Sequence, residues 1–514
     1  VPGEGSIAGR RGVVLALSAA LFCLSAWGAS GALAAKAPEG YAQEYSEGFG
    51  IGLNGYEYGQ PLLNMQRLYQ SNTSVTVPDQ IGDAPVNQFS HFPGLSETKE
   101  GEIVSPNADT LYSVAWLSLK SQPVVIHVPA SPGRFSDVPF YSPYEENFAN
   151  IGEGASGQLA PGDYVIAGPG RYSTTEELDG MKVIHSPYDR VWLLPRTLVK
   201  DREDTAAAVA LQAEMKLVPL KAYLEEGLAY TPPAPETSIT QYTPYTVPGT
   251  QAGEDPLVYW TALGAALKQF KPPKADATEL KLLRRFGIGP GLSPANDSKL
   301  GPGVLAGLRA AVKAGPEEIS KAFHAAVQAN FAKHNGWGLS DVGTYGTDYG
   351  LRAVVDQFGL AALVPNVAIY PFATTDRTGA ALTGEKRYVV HFPASDFPVP
   401  VQGFWSLTMY STTGFFVANP LQRYTLGDRS ALHFEEDGSL NLYVQATEPT
   451  NEAQRANWLP SPAGEGFQLI LRLYGLQETA IGPLLEGAPG AWTPPAILPC
   501  YENGRTANSI ECAT

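Results

Sequence analysis

Asn107-Ala-Asp109-Thr-Leu-Tyr112 and the upstream His91 are the side chains of this sequence best suited to chemistry. Side chains alternate along an extended chain, so Asn107 and Asp109 point to the same side. With an imidazole nearby, they could hold a divalent cation or a water nucleophile. His91 would act as base and Asp109 would orient it. His91, Asp109 and Tyr112 are therefore the expected catalytic residues, and Asn107 an expected substrate contact. The same Asn and Asp could instead only tie down a turn through their own backbone. Tyr141, Tyr144, Trp405, Tyr410, Trp458 and Tyr474 form an aromatic set that could line a pocket or fill a core. From it, Tyr141, Trp405 and Tyr410 are the expected substrate walls. Arg423 is the expected anion-orienting cation, with Arg429 beside it. Salt bridges to Asp428 or Glu435 are the structural alternative for both arginines. There is no G-x-S-x-G and no H-E-x-x-H. The run Gly48-Phe-Gly-Ile-Gly52 follows no strand, so no nucleotide cofactor is expected. The pattern leaves a divalent metal open and does not identify it.

These residues need a frame. Tyr41 to about Tyr69 predicts a helix with glycine breaks. Short apolar or alternating runs bounded by Pro, Gly, Asn and Asp predict strands at Leu111–Leu119, Val124–Val128, Tyr164–Ala167, Lys182–His185 and Val191–Leu194. Leu211–Leu228 reads as helix, and the Pro/Thr-rich Thr231–Asp255 as a connection or lid. Helices follow at Leu257–Phe270, Thr278–Phe286, Leu305–Ala314 and Pro316–His334. Pro316 with Glu317 and Glu318 makes a good helix start. Strands return at Val367–Tyr370, Arg387–Phe392, Phe404–Tyr410, Asn441–Gln445 and Gln468–Leu473. Val124-Val-Ile-His-Val-Pro-Ala-Ser131 echoes Tyr388-Val-Val-His-Phe-Pro-Ala-Ser395. The echo continues through Phe140-Tyr-Ser142 and Phe404-Trp-Ser406, then Leu194-Pro-Arg196 and Ile470-Leu-Arg472. A duplicated β unit on either side of a helical unit accounts for it. His127 and His391 take equivalent places in it, which favours a role in the fold. The two units are expected to meet at a common cleft.

A chain of 514 residues has room for about three domains. Its 53 glycines and 43 prolines exceed ordinary usage, which favours turns over a long-helix bundle. A hydrophobic fraction of 44% excludes disorder for the body of the chain. A formal net charge of −16 argues against broad nucleic-acid binding. Arg10-Arg11, the apolar run from Val13 to Trp27 and Ala32-Leu-Ala34 form a secretory signal pattern over residues 1–35, with a twin-arginine route left open. No later run is long enough to span a membrane. The protein is thus expected to be exported, periplasmic or secreted, without a membrane span after cleavage. Cys500 and Cys512, the two cysteines beyond the signal, can pair there as a disulfide.

The N-terminal half resembles the domain of unknown function DUF1254. The likeness is carried by Asn87-x-Phe-x-His91, by Pro106-Asn-Ala-Asp-Thr-Leu-Tyr-Ser113 with Trp116, and by Pro132-Gly-Arg-Phe135. The C-terminal half resembles DUF1214, through Phe404-Trp-Ser-Leu-Thr-Met-Tyr410, Asn419-Pro420, Arg423-Tyr424, Gly427-Asp-Arg429, Asp437-Gly-Ser439, Asn457-Trp-Leu-Pro460 and Arg472-Leu-Tyr474. The resemblance implies a mainly β protein with α: two β-sandwich or jelly-roll domains flanking a helical domain. The expected boundaries are 36–230 for the first helix and β domain, 231–363 for the linker and helical domain, 364–495 for the second β domain and 496–514 for the tail. Some relatives look like hydrolases of small esters or sulfate esters. The expected function is an exported hydrolase of a small, partly apolar ester or sulfate ester. The alternative is a non-catalytic envelope protein binding a glycan or small molecule. A homo-oligomer is left open.

Overall fold

The computed structural model describes residues 39–96, 105–170, 172, 176–178, 180–330 and 333–513. The signal-peptide reading falls on residues outside this set. Helix α1 is Tyr41–Asn72. Strands β1 Ser90–His91, β2 Thr110–Ser118, β3 Val124–Val128, β4 Ser136–Tyr141, β5 Asn147–Glu153, β6 Gly162–Ala167, β7 Glu177–Leu178, β8 Met181–His185, β9 Arg190–Leu193 and β10 Arg196–Leu198 follow. Next come α2 Thr205–Glu214, β11 Lys216–Pro219 and α3 Leu220–Glu226. Helices α4 Leu257–Gln269, α5 Ala277–Arg284, α6 Pro302–Asn330 and α7 Tyr349–Phe358 make up the middle. The last stretch holds β12 Ala368–Ile369, β13 Phe372–Ala373, β14 Tyr388–Phe392, β15 Val401–Ser411, β16 Thr425–Gly427 and β17 Leu440–Gln445. It ends with α8 Glu452–Ala456, β18 Trp458–Pro460, β19 Phe467–Leu476, α9 Glu478–Glu486 and β20 Ala496–Pro499. The protein is mainly β with helices, and from Gly40 onward it forms one compact unit.

The first strands form two sheets. One has the order β1-β2-β10-β4-β5, with β9 pairing to β2 and β4; the other has the order β11-β3-β6-β8-β7. Ala115, Leu117, Phe140 and Leu193 of the first sheet share an apolar cluster with Val124, Ile126 and Ile166 of the second. Strand alternation sends Tyr112, Val114, Trp116, Trp192 and Leu194 to the opposite face of the first sheet, where they join another cluster. The later strands repeat the plan. The order β12-β19-β15-β16, with β13 also on β19, makes one sheet, and β18-β17-β14-β20 the other. Leu407, Met409, Leu469 and Leu471 pack with Val390, Phe392, Leu442 and Val444 between them. On the reverse face, Phe404 and Tyr474 join the cluster that holds Tyr112, Trp116, Phe135 and Tyr141.

The echo has a structural counterpart. His127 on β3 and His391 on β14 precede a strand that belongs to a different sheet, β4 and β15 respectively. Arg196 on β10 pairs with β4, and Arg472 on β19 pairs with β15, both antiparallel. Each histidine is held by a neighbouring strand: His127 Nδ1 by Asp163 at 2.6 Å, His391 Nδ1 by Asn441 at 2.8 Å.

Three local expectations change. The glycines of α1 do not break it. Gly48 and Gly52 lie against Val304 and Ala311 of α6, while Gly55 and Gly59 lie against Trp260 and Leu263 of α4. Their missing side chains let the helices approach. Helix α6 runs unbroken through Pro316, where Gly315 seats the ring of Tyr56 and Ser320 Oγ bonds the Pro316 carbonyl at 2.9 Å. Packing on both sides outweighs the hydrogen bond that proline removes. Leu211–Leu228 is not one helix, because Lys216–Pro219 pairs as a strand with β3. Thr231–Asp255 begins as an extended strap over the end of α1, tied by Thr76 Oγ1 to the Thr237 carbonyl at 2.6 Å and by the Tyr245 N–H to Ser71 Oγ at 3.0 Å.

A methyl group at Gly48 would meet the Val304 backbone. Gly48→Ala is therefore expected to destabilise the protein by about 1–3 kcal/mol despite alanine's better helix propensity. Thermal denaturation checks this, and an unchanged or raised Tm would refute it.

Candidate functional site

Residues 105–109 run along a seam between the two β regions. Asn107 Oδ1 accepts from the Asp109 N–H at 2.7 Å, an Asx turn that rigidifies the entry to β2. Asn107 Nδ2 donates to Tyr474 Oη at 2.6 Å, and the Asn107 N–H donates to Tyr112 Oη at 3.1 Å. The Asp109 carboxylate accepts from Ser406 Oγ at 2.6 Å and from Arg429. Arg429 also pairs with Asp428 at 2.7 Å and lies over the Phe404 ring at 4.3 Å. Tyr410 Oη donates to the Pro106 carbonyl at 2.5 Å, and Arg472 Nη2 to the Ser105 carbonyl at 2.8 Å. Asn107 and Asp109 thus make both the local turn and the ties to the second β region.

His91 is elsewhere. It faces Ser113 across β1 and β2, with Nδ1 2.7 Å from Ser113 Oγ, and stacks on Phe89. Ser113 and Tyr112 are adjacent on a strand and so point to opposite faces. Burial, with Lys216 nearby, lowers the His91 pKa to about 4. Among the described residues, His91 and Asp109 share no hydrogen-bond partner, and they are not joined as a base and its orienting acid. Among the described residues, no group of three or more His, Cys, Asp or Glu could hold a metal ion.

The other expected contacts separate as well. Trp405 is in the apolar cluster between the last two sheets, against Phe392. Arg423 donates to the carbonyls of Arg455 at 3.0 Å and Trp458 at 2.9 Å, fixing the end of α8. Tyr141 is fully buried and donates to the Ala361 carbonyl at 2.7 Å. Cys500 and Cys512 form a disulfide, with Cα atoms 6.1 Å apart.

A cavity of about 180 Å³ opens where the reverse faces of the first and third sheets meet the helices. Tyr112, Leu194 and Arg196 come from the first sheet and Ile470, Arg472 and Tyr474 from the third. Phe323 of α6, then Leu351, Val354, Val355 and Phe358 of α7, form the helical wall. The loops supply Gly338, Leu339, Ser340, Val342, Gly359–Ala362 and Tyr370, β13 supplies Phe372, and Ser105 stands at the seam. Ala361 holds a positive φ of 64°, which turns its carbonyl onto both Tyr141 Oη and Arg196 Nη2, the latter at 2.8 Å. Of the expected catalytic residues, Tyr112 alone lines this cavity. Arg196, Arg472 and Tyr370 were not among the expected site residues. The repeated Leu-Pro-Arg196 and Ile-Leu-Arg472 marked the two arginines as equivalent, but nothing in the sequence showed that both face inward.

Residues 86–219 match the family described as protein of unknown function DUF1254, and residues 367–478 match protein of unknown function DUF1214. The first match ends with β11. The second spans β12 to the end of β19. The helices lining the cavity fall between the two. The VPA0106 protein from Vibrio parahaemolyticus has a similar fold: the match covers 88% of this chain and 100% of that one, at 21% identity and a TM-score of 0.58. An uncharacterized protein from Burkholderia cenocepacia matches over 85% of this chain and 92% of its own, at 13% identity and a TM-score of 0.37. No curated protein matches the chain.

Two outcomes are expected from these contacts. Asp109→Ala strands Ser406 and half of the Arg429 pairing, and should destabilise by about 3 kcal/mol. Asp109→Leu combined with Arg429→Met should recover most of that loss in urea unfolding, and simple additivity of the single changes would disprove the coupling. For His91, a folded pKa below the unfolded value means stability is complete above about 6.5 and is lost as pH falls toward 4. The contribution is at most about 3 kcal/mol. NMR titration should find His91 neutral at pH 5.5, and His91→Asn should flatten this part of the pH–stability curve. A His91 that titrates near 6.5 contradicts this account.

Proposed function

We propose that the protein is an exported binding protein for a small, largely apolar molecule, held in the cavity where its two β regions meet. The observation that carries this reading is the cavity's lining: mostly aliphatic and aromatic side chains with a few convergent polar groups, the pattern of small-molecule sites at domain junctions. An apolar wall suits such a ligand better than a glycan. The finer architecture belongs to the same reading. Each pair of sheets sharing an apolar cluster is a β-sandwich of the jelly-roll kind, one before and one after the helices. A closed disulfide in the tail is compatible with export. Among the described residues no helix is long and apolar enough to cross a membrane.

One observation favours the second reading, an exported hydrolase of small esters or sulfate esters. Tyr112 lines the cavity, and its hydroxyl oxygen is positioned by the Asn107 N–H at 3.1 Å. The binding reading is preferred because His91 is turned to the other face of β2, and Asp109 is engaged by Ser406 and Arg429.

Indole titrated calorimetrically should bind wild-type protein saturably. Val354→Trp, which fills the cavity from α7, should weaken binding at least tenfold with circular dichroism unchanged. Equal binding by both proteins, or none by wild type, rejects the cavity as a site. Release of p-nitrophenol from its acetate or sulfate ester, abolished by Tyr112→Phe, would favour the hydrolase instead.

A further inference from the structure

Two of the groups lining the cavity are guanidiniums, each about 5% exposed or less. Arg196 Nη2 donates to the Ala361 carbonyl, and Arg196 Nη1 has no hydrogen-bond partner among the described residues. Arg472 Nη1 donates to Thr408 Oγ1 at 3.0 Å, and its Nη2 to the Ser105 carbonyl. None of these acceptors is charged. The carboxylates nearby do not make up the difference. Asp109 is already paired with Arg429. Asp137, opposite Arg196 on β4, is held by Gln158; burial pushes its carboxyl up to about 7 against the opposing pull of Gln158 and the Arg196 charge, and it is not bonded to Arg196. Tyr370 and Tyr474 lie close to both guanidiniums, but burial pushes both phenols upward, so they remain neutral. Among the described residues, no carboxylate is bonded to either guanidinium, so two buried cations line one cavity without a directly paired anion, an arrangement that is unfavourable unless something supplies the charge. Arginine forks are suited to planar, two-oxygen anions.

We propose that the ligand is a small organic anion, an apolar body bearing a carboxylate or sulfonate-type headgroup, with Arg196 donating to the headgroup and Arg472 adding its positive charge beside it. This rests on the cavity being the binding site. Its volume of about 180 Å³ exceeds the ~150 Å³ that accepts benzene, so the body is about the size of one aromatic ring. Phe323, Leu339, Val354 and Phe358 supply the apolar contact. The headgroup displaces no protein carboxylate. It accepts from Arg196 Nη1, and from the Tyr474 hydroxyl, whose oxygen accepts from Asn107 and which donates to no acceptor among the described residues.

The test compares benzoate, benzenesulfonate and benzyl alcohol by calorimetry, each also in competition with indole. At least one anion should bind ten or more times more tightly than benzyl alcohol, and which one does identifies the headgroup. Arg196→Met and Arg472→Met should each lose at least tenfold in affinity for that anion and keep their affinity for benzyl alcohol. Benzyl alcohol binding as well as both anions, and displacing indole, would overturn the anion assignment while leaving the cavity as the site. No binding of any compound, indole included, would overturn both. The wild-type comparison decides the question even if neither variant folds.

Discussion

One buried carboxylate joins the two halves of this chain. Asp109 sits just before β2 and accepts from Ser406 and Arg429, 297 and 320 positions further on. Around it, Pro106, Asn107 and Ser105 bond Tyr410, Tyr474 and Arg472 of the same distant sheet. The Asx turn at Asn107 makes this geometry reproducible, because it rigidifies the backbone that presents the carbonyls. Without this seam, the reverse faces of the first and third sheets would be solvent surfaces. With it, they become the walls of a cavity.

Those reverse faces carry aromatic residues and arginines, the types enriched where protein surfaces meet. Tyr112, Tyr141 and Arg196 lie on one, Tyr410, Arg472 and Tyr474 on the other. The helices complete the enclosure. Glycines in α1 let α6 and α4 approach closely, and α7 then presents Leu351, Val354, Val355 and Phe358 to the opening. The helical segment lies between the two matched family segments, so it shapes the cavity without belonging to either. The positive φ at Ala361 allows one carbonyl to serve both Tyr141 and Arg196. Strain of this kind persists where the surroundings over-determine it, often at binding sites.

Much of the fold was legible from local pattern. The strands at Val124–Val128 and Tyr388–Phe392 follow from β-branched runs with defined turns at their ends, and the helix at Leu257–Gln269 from its periodicity. Local pattern failed where packing against another element decided the outcome. The α1 glycines and Pro316 read as breaks because the partners that accommodate them lie hundreds of positions away or on other helices. Lys216–Pro219 read as helix because only the open edge of β3 makes it a strand.

The sequence by itself determined the two β regions, their internal repeat, the cysteine pair and the special place of the Asn107–Tyr112 stretch. Each depends on neighbouring residues, or on a pattern repeated within the chain, and both are visible in one dimension. Only the tertiary structure decided what the singled-out residues touch. It turned His91 away from Tyr112, since adjacent strand positions face opposite sides. It committed Asp109 to Arg429 and Arg423 to backbone carbonyls. It brought Arg196 and Arg472 to one cavity. A side chain's face is fixed by strand register, and its partner by how two sheets meet. Neither is encoded at the residue itself.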